Sequence, residues 1–318
     1  MSVGEAILRA VLVLVGFLVL PLVVGQSEHK VMAHMQGRLG PMEAGGFHGW
    51  AQLVADGVKF VQKEDIVPRA ADGKIFRIAP VLAIVSYLAA LAVIPLSPDL
   101  VGADVPASLV WVLAVGGVGT VGTLLAGWSS GNKYALLGAM RAAASLISYE
   151  VALILAAASF AIAAGSLSLV GIAHAWTPWW LIWQLPAAFV LLAAGTAELQ
   201  RVPFDTPVAD AEIVMGPYTE YTGLRFALFL LAEYAGIVVL SLLLAVLWLG
   251  GWTGPFDAHI GWLWTVLKAA IIVFVIIWMR VSWPRVRVDQ LQRFTWLVLV
   301  PIALVQLLIT AAGVVLWQ

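Results

Sequence analysis

Long apolar runs dominate the chain, and its polar residues gather in a few places between them. About eight stretches are long and apolar enough to cross a hydrocarbon core of ~30 Å as helices. They cover 5–26, 77–96, 106–127, 139–164, 177–197, 222–249, 260–280 and 294–317. The first run carries Glu5 and Arg9 and ends in a poor cleavage sequence at Val23, Val24 and Gly25, so it is expected to be a retained helix. Between 47 and 63 the pattern changes. Phe47, Trp50, Val54, Val58 and Val61 recur at helical spacing, with His48, Gln52, Asp56, Lys59 and Lys63 on another face. That spacing predicts an amphipathic helix at the membrane surface. The expected fold class is an all-α integral membrane protein, a single membrane domain over 1–318 with one amphipathic helix on the cytoplasmic side.

Composition strengthens that reading. Of 318 residues, 62% are hydrophobic and 11% charged, and the mean hydropathy is +0.99. A soluble domain is closer to half apolar and about a quarter charged, and could not hide so much apolar surface. The chain has no cysteine. Fe–S clusters of its own, c-type haem, disulfides and thiol catalysis are thereby excluded. Any metal centre that brings electrons here must sit on another subunit.

The charges also set an orientation. Lys30, Arg38, Lys59, Lys63, Arg69, Lys74 and Arg77 lie between the first two spans, and Lys133 and Arg141 between the third and fourth. Arg201 and Arg225 lie between the fifth and sixth, and Arg280, Arg285, Arg287 and Arg293 between the last two. The other connections, 97–105, 165–176 and 250–259, have no Lys or Arg and carry Asp99, Asp104 and Asp257. The positive-inside rule then predicts both termini outside, with loops 27–76, 127–138, 198–221 and 281–293 in the cytoplasm.

Within the spans, Glu150, Glu233 and Lys268 stand out. Glu150 and Glu233 lie about 13 and 12 Å along their helices from Arg141 and Arg225, which predicts both near mid-membrane. An ionisable group there costs about 2.5–3.5 kcal/mol and normally faces the bundle interior, where it pairs or carries protons. A neutral Glu that only fixes packing is the plain alternative. Familiar soluble motifs do not compete. There is no P-loop and no H-E-x-x-H. The G-x-G-x-x-G at Gly117, Gly119 and Gly122 lies inside an apolar span, where small residues suit close helix approach. The five histidines form no helical metal pair, and the clusters Trp176, Trp179, Trp180, Trp183 and Trp248, Trp252 suit an outer interfacial belt.

The polar segments carry a resemblance. They read SEHKVMAHMQGRLGP at 27–41, GWAQLVADGVKFVQKEDIVP at 49–68 and GWSSGNKYALLGAMRAAASLISYE at 127–150. They continue with AELQRVPFDTPVADAE at 197–212, TEYTGLRFALFLLAEYA at 219–235 and RVSWPRVRVDQL at 280–291. Together they resemble the quinone-site membrane subunit of respiratory complex I, the subunit-1 or H family, over every cytoplasmic loop. The resemblance implies a bacterial plasma-membrane subunit of a proton-translocating NADH-quinone oxidoreductase, with no catalytic residue and no cofactor of its own. Quinone would be its substrate, Fe–S clusters would sit in peripheral-arm partners, and small and antiporter-like membrane subunits would be further partners. The lipid bilayer surrounds it, and nucleic acid is not a partner.

By the same resemblance, Glu28, Lys30, Arg38, Phe47, Asp56 and Arg225 belong to the quinone chamber. Glu150, Glu198, Asp205, Asp210, Glu212, Glu220 and Glu233 form a chain of acids from that chamber into the membrane. The sequence departs from the family pattern at His29, Met42, Glu43 and Val208, the last removing one carboxylate from the acidic loop. Membrane-bound hydrogenases, formate hydrogenlyases and ferredoxin-dependent complexes share much of this pattern. A stand-alone secondary transporter is the reading from another class, and it predicts internal repeats.

Overall fold

A computed structural model describes residues 3–317; the side chains of residues 210, 211, 257, 258 and 317 lie outside the description. Every regular element among the described residues is helical. The elements are α1 (Val3–Met35), α2 (Gln52–Gln62), α3 (Gly73–Leu91), α4 (Ser108–Ser129), α5 (Lys133–Ala164) and α6 (Leu169–Ala175). They continue with α7 (Trp180–Trp183), α8 (Leu185–Glu198), α9 (Asp210–Ile213), α10 (Gly223–Leu247), α11 (Asp257–Ser282), α12 (Val288–Phe294) and α13 (Val300–Trp317). Among the described residues, seven helices are long and apolar enough to cross a membrane. A shorter apolar helix, α8, follows α7 after a break at Gln184.

Several boundaries differ from the sequence reading because caps, not apolarity, set them. Asn132 accepts from the Tyr134 amide, so α5 starts at Lys133 and the expected 127–138 loop shrinks to a turn. Asp72 does the same for α3 through the Lys74 and Ile75 amides. Helix α1 runs on to Met35, well into the expected first loop. The amphipathic helix starts late. Gly45, Gly46, His48 and Gly49 all hold positive φ, so Phe47–Gly49 forms only a 3-10 turn before α2. The last crossing joins α12 to α13 through a π-helical segment, Thr295–Leu299.

Small residues let the helices close up. The inner face of α5 carries Ala135, Gly138, Ala139, Ala142, Ala152, Ala156 and Ala157, all buried. A Cβ on Gly122 would stand 2.9 Å from the Ala83 backbone nitrogen and 3.0 Å from the Ala79 carbonyl oxygen, and one on Gly119 would stand 2.7 Å from Ser86 Oγ. Gly119 and Gly122 of the G-x-G-x-x-G run thus seat α4 directly on α3. Helix α10 is the centre of the bundle, buried almost continuously from Ala235 to Leu247.

At one end of the bundle the connections knit together. The Asp72 amide donates to Ser129, the Val286 amide to Pro203, and the Ile66 amide to Thr222 Oγ1. At the other end, Trp176 Nε1 donates to the Trp248 carbonyl and Trp248 Nε1 to that of Leu181. Trp180 and Trp252 are buried, and only Trp179 of these clusters is strongly exposed. Two of the six tryptophans thus pack inward, while Trp176 and Trp248 tie the connections at this end together. Lys268 helps to tie this end too. Its Nζ donates to the carbonyls of Leu249, Gly251 and Thr253 at 2.7–2.8 Å, so it holds the α10–α11 connection and is not a free cation beside the membrane acids.

Candidate functional site

At the loop-bearing end, three helices and one connection bring four charged side chains together. Helix α1 contributes Glu28, α10 Glu233, α11 Arg280, and the 199–222 connection Arg201. Arg201 Nη1 donates to both oxygens of Glu28 at 3.0 and 2.9 Å, and its Nε pairs with Glu233 at 2.6 Å. Arg280 pairs with the same Glu28. Glu28 is 2% and Arg201 4% exposed. The Arg201 guanidinium also lies 4.7 Å from the centre of the Tyr234 ring, a favourable seat for a desolvated cation.

The local fold explains how Arg201 reaches inward. Helix α8 ends at Glu198, Gln200 takes a left-handed φ of 55°, and the Arg201 amide returns to the Thr196 carbonyl. The chain thus tucks under its own helix end instead of leaving for solvent. Two acids and two arginines balance in charge. Removing such ions from water still costs several kcal/mol each, so their presence in an apolar bundle points to function more than to stability.

A cavity of about 220 Å³ adjoins this network. Its charged lining comprises Glu198, Arg201, Asp205, Glu233 and Arg280, with Tyr87 and Tyr218 among the neutral polar groups. Tyr218 shares a hydrogen bond with Thr123 of α4 at 3.2 Å. Two of the acids meet α4 at adjacent glycines: a Cβ on Gly116 would stand 2.8 Å from Glu198 Oε1, and one on Gly117 would stand 3.2 Å from Glu150 Oε1. Glycine at both positions leaves room for the carboxylates. The arrangement can hold and exchange protons along a short row of acids, and it places two arginines where they can answer a change in charge.

The expected acid chain is thus partly assembled. Glu198, Asp205 and Glu233 line one cavity, and Glu150 lies against the next turn of the same α4 surface. Glu212 is elsewhere, on the loop surface, paired with Arg141 of α5. Its hydrogen bond to Arg141 outweighs slight desolvation and holds its carboxyl below the usual range. Glu220 accepts from Asn132 at 2.6 Å and closes the turn between α4 and α5. The side chain of Asp210 lies outside the described residues. Glu233 is one of the membrane acids that pair, because Arg201 reaches it from the loop.

The expected chamber residues are more dispersed. Glu28 is sealed in the ion network. Lys30 donates to the Pro41 carbonyl and to Met42 sulfur, folding the 36–42 segment back on α1. Arg38 is exposed and meets Gln36 at 2.9 Å. Phe47 is 85% exposed. Burial alone would raise Asp56, but hydrogen bonds from Lys59 and Gln52 prevail and hold its carboxyl low. Arg225 pairs with Asp65 at 3.1 Å and faces the Phe76 ring. Sequence reasoning used Arg201 and Arg280 only to orient the bundle. Their place beside long apolar runs was the available signal for a buried role. Among the described residues, no cluster of His, Asp and Glu could hold a metal ion.

The comparisons with known proteins agree with one another. The family model described as NADH dehydrogenase matches residues 8–311. The chain is 44% identical over 315 residues to the H-type NADH-quinone oxidoreductase subunit of Geobacillus kaustophilus (strain HTA426), covering 98% of this chain and 92% of that one. It is 45% identical over 313 residues to the corresponding protein of Anoxybacillus flavithermus (strain DSM 21510 / WK1), with the same coverage of 98% and 92%. It is 46% identical over 288 residues to that of Bacillus mycoides (strain KBAB4), covering 90% and 86%.

Proposed function

The chain belongs to the NADH dehydrogenase family, and from that premise we propose that it is a membrane subunit of a proton-translocating NADH-quinone oxidoreductase. In this reading it forms part of the quinone chamber and couples quinone reduction to proton pumping. It lies in a bacterial plasma membrane with both termini outside and the large loops in the cytoplasm. It works with Fe–S subunits of a peripheral arm and with small and antiporter-like membrane subunits. Quinone is the substrate, and the chain itself holds no redox centre.

The observation that carries the reading is the Glu28–Arg201–Glu233–Arg280 network beside a cavity of acids. Reducing a quinone to quinol takes two electrons and two protons, so the chamber gains negative charge whenever electrons run ahead of protons. Arg201 divides its guanidinium between Glu28 and Glu233. A proton taken up by Glu233 frees Arg201 for Glu28 alone, and the shift is felt along Glu198 and Glu150. Arg225, Arg38 and Asp56 lie nearer the loops, where a quinone headgroup would pass. The shared electroneutral network turns a local charge change into a rearrangement that partner subunits can read.

Gln keeps the shape of Glu but cannot exchange a proton. We expect Glu233→Gln and Glu198→Gln complexes to assemble, to pass electrons from NADH to a water-soluble acceptor upstream, and to lose most proton pumping coupled to quinone reduction. A normal proton-to-electron ratio in both variants would overturn the relay.

A further inference from the structure

Away from the acid cavity, an apolar groove of about 150 Å³ opens between α1 and the connection joining α3 to α4. Leu12, Gly16 and Leu20 form one wall, and Leu96 and Leu100 part of the other. At its end stands one cation, Arg9, whose Nη1 donates to the Val101 carbonyl at 3.2 Å. We propose that this groove is a phospholipid site, with an acyl chain between the two walls and the lipid phosphate on Arg9.

Depth supports the assignment. Helix α1 carries both Arg9 and Glu28, and the rise between them is about 28 Å. That is close to one hydrocarbon thickness. With Glu28 at the level of the loop-bearing end, Arg9 falls at the headgroup level of the opposite leaflet. A guanidinium presents five N–H donors in a fork that suits phosphate oxygens, and the Val101 carbonyl fixes one arm of it.

The lining favours a hydrocarbon chain. Apart from Arg9, the residues around the groove are apolar, and apolar walls lose dispersion energy when nothing fills the space between them. Gly16 makes the opening. A Cβ there would meet only the tip of Leu20, one turn along the same helix, at 4.0 Å, so a side chain at this position starts in open space.

The test uses the purified enzyme complex, stripped with mild detergent, and counts retained phospholipids by native mass spectrometry. Arg9→Gln removes the phosphate contact and Gly16→Leu fills the chain position. Each variant is expected to lose a tightly held phospholipid that the parent keeps, with assembly unchanged. An unaltered count in both would overturn the site, as would a partner subunit found covering the groove. A measurement on the parent complex guards against misfolded variants. A phosphatidylglycerol or phosphatidylethanolamine probe with a mid-chain diazirine should label α1 within 9–20 or the 91–102 segment. Labelling confined to other parts of the chain would overturn the proposal, and the stronger of the two probes identifies the headgroup charge.

Discussion

Arg201 is the residue on which the loop-bearing end depends. It answers Glu28 with Nη1 and Glu233 with Nε, and both it and Glu28 are sealed from water. Removing one partner of a buried pair strands the other charge, at a cost of about 3–5 kcal/mol. Arg201→Ala should therefore lower the melting temperature of the purified complex sharply or prevent its assembly. An unchanged melting temperature would mean that Arg280 alone satisfies Glu28. Glu233 is about one-third exposed, so its neutral variant should be mild in stability while still altering coupling. At this scale Glu233 was legible in the sequence as an acid inside an apolar run, and Glu28 only through the family resemblance. Their partners were not, because a basic residue at a helix end serves topology and ion pairing equally well.

At the scale of elements, α4 shows how a weak motif acquires a definite meaning. Its glycine at 122 receives the backbone of α3, that at 119 the side chains of Ser86 and Tyr87, and those at 116 and 117 receive Glu198 and Glu150. Gly122→Val should strain the α3–α4 contact by about 1–3 kcal/mol, visible as reduced assembly or faster thermal inactivation. Unaltered stability would show that the two helices can part without consequence. The 199–222 connection offers a pH-dependent case. Arg141 binds Glu212, and Arg285 Nη2 donates to the Asp205 carbonyl at 2.6 Å. Because the folded-state pKa of Glu212 is depressed, the contact contributes fully above its ordinary pKa and is lost as pH falls through the lowered value. Screening at this exposed site keeps the gain small. Protease cleavage within 203–215 should thus rise on acidification below about pH 4.5, the ordinary carboxylate range. Glu212→Gln should show elevated cleavage already at neutral pH. Equal cleavage of parent and variant across that range would remove the contact from the account.

For the whole molecule, the exposed apolar surface is unequal in kind. Most of it belongs to the long apolar helices. The stripe on the 47–63 segment does not: Phe47, Trp50, Val54, Val58 and Val61 are all exposed, and α2 buries none of its own residues. A helix so placed needs a membrane surface or a partner to cover it. Residues 36–72 and 199–222 should become protease-resistant when the complex assembles, and the isolated chain should be cut there first. Identical digestion patterns in the two states would argue against docking at this end.

The sequence by itself determined the membrane class, the long apolar helices and the family. Each follows from one-dimensional quantities: the length of an apolar run against bilayer thickness, and ordered stretches of polar sequence. It also marked Glu150 and Glu233 by helix rise alone. Only the tertiary structure decided which charges meet. Arg201 reaches Glu28 because the chain turns left-handed at Gln200 and tucks beneath α8, and Arg280 joins them because α11 packs beside α1. Lys268 looked like a membrane cation until three loop carbonyls were seen to surround its ammonium. Partners separated by 173 residues, as Glu28 and Arg201 are, leave no periodic trace in sequence, since pairing depends on how helices cross and on where a connection folds back between them.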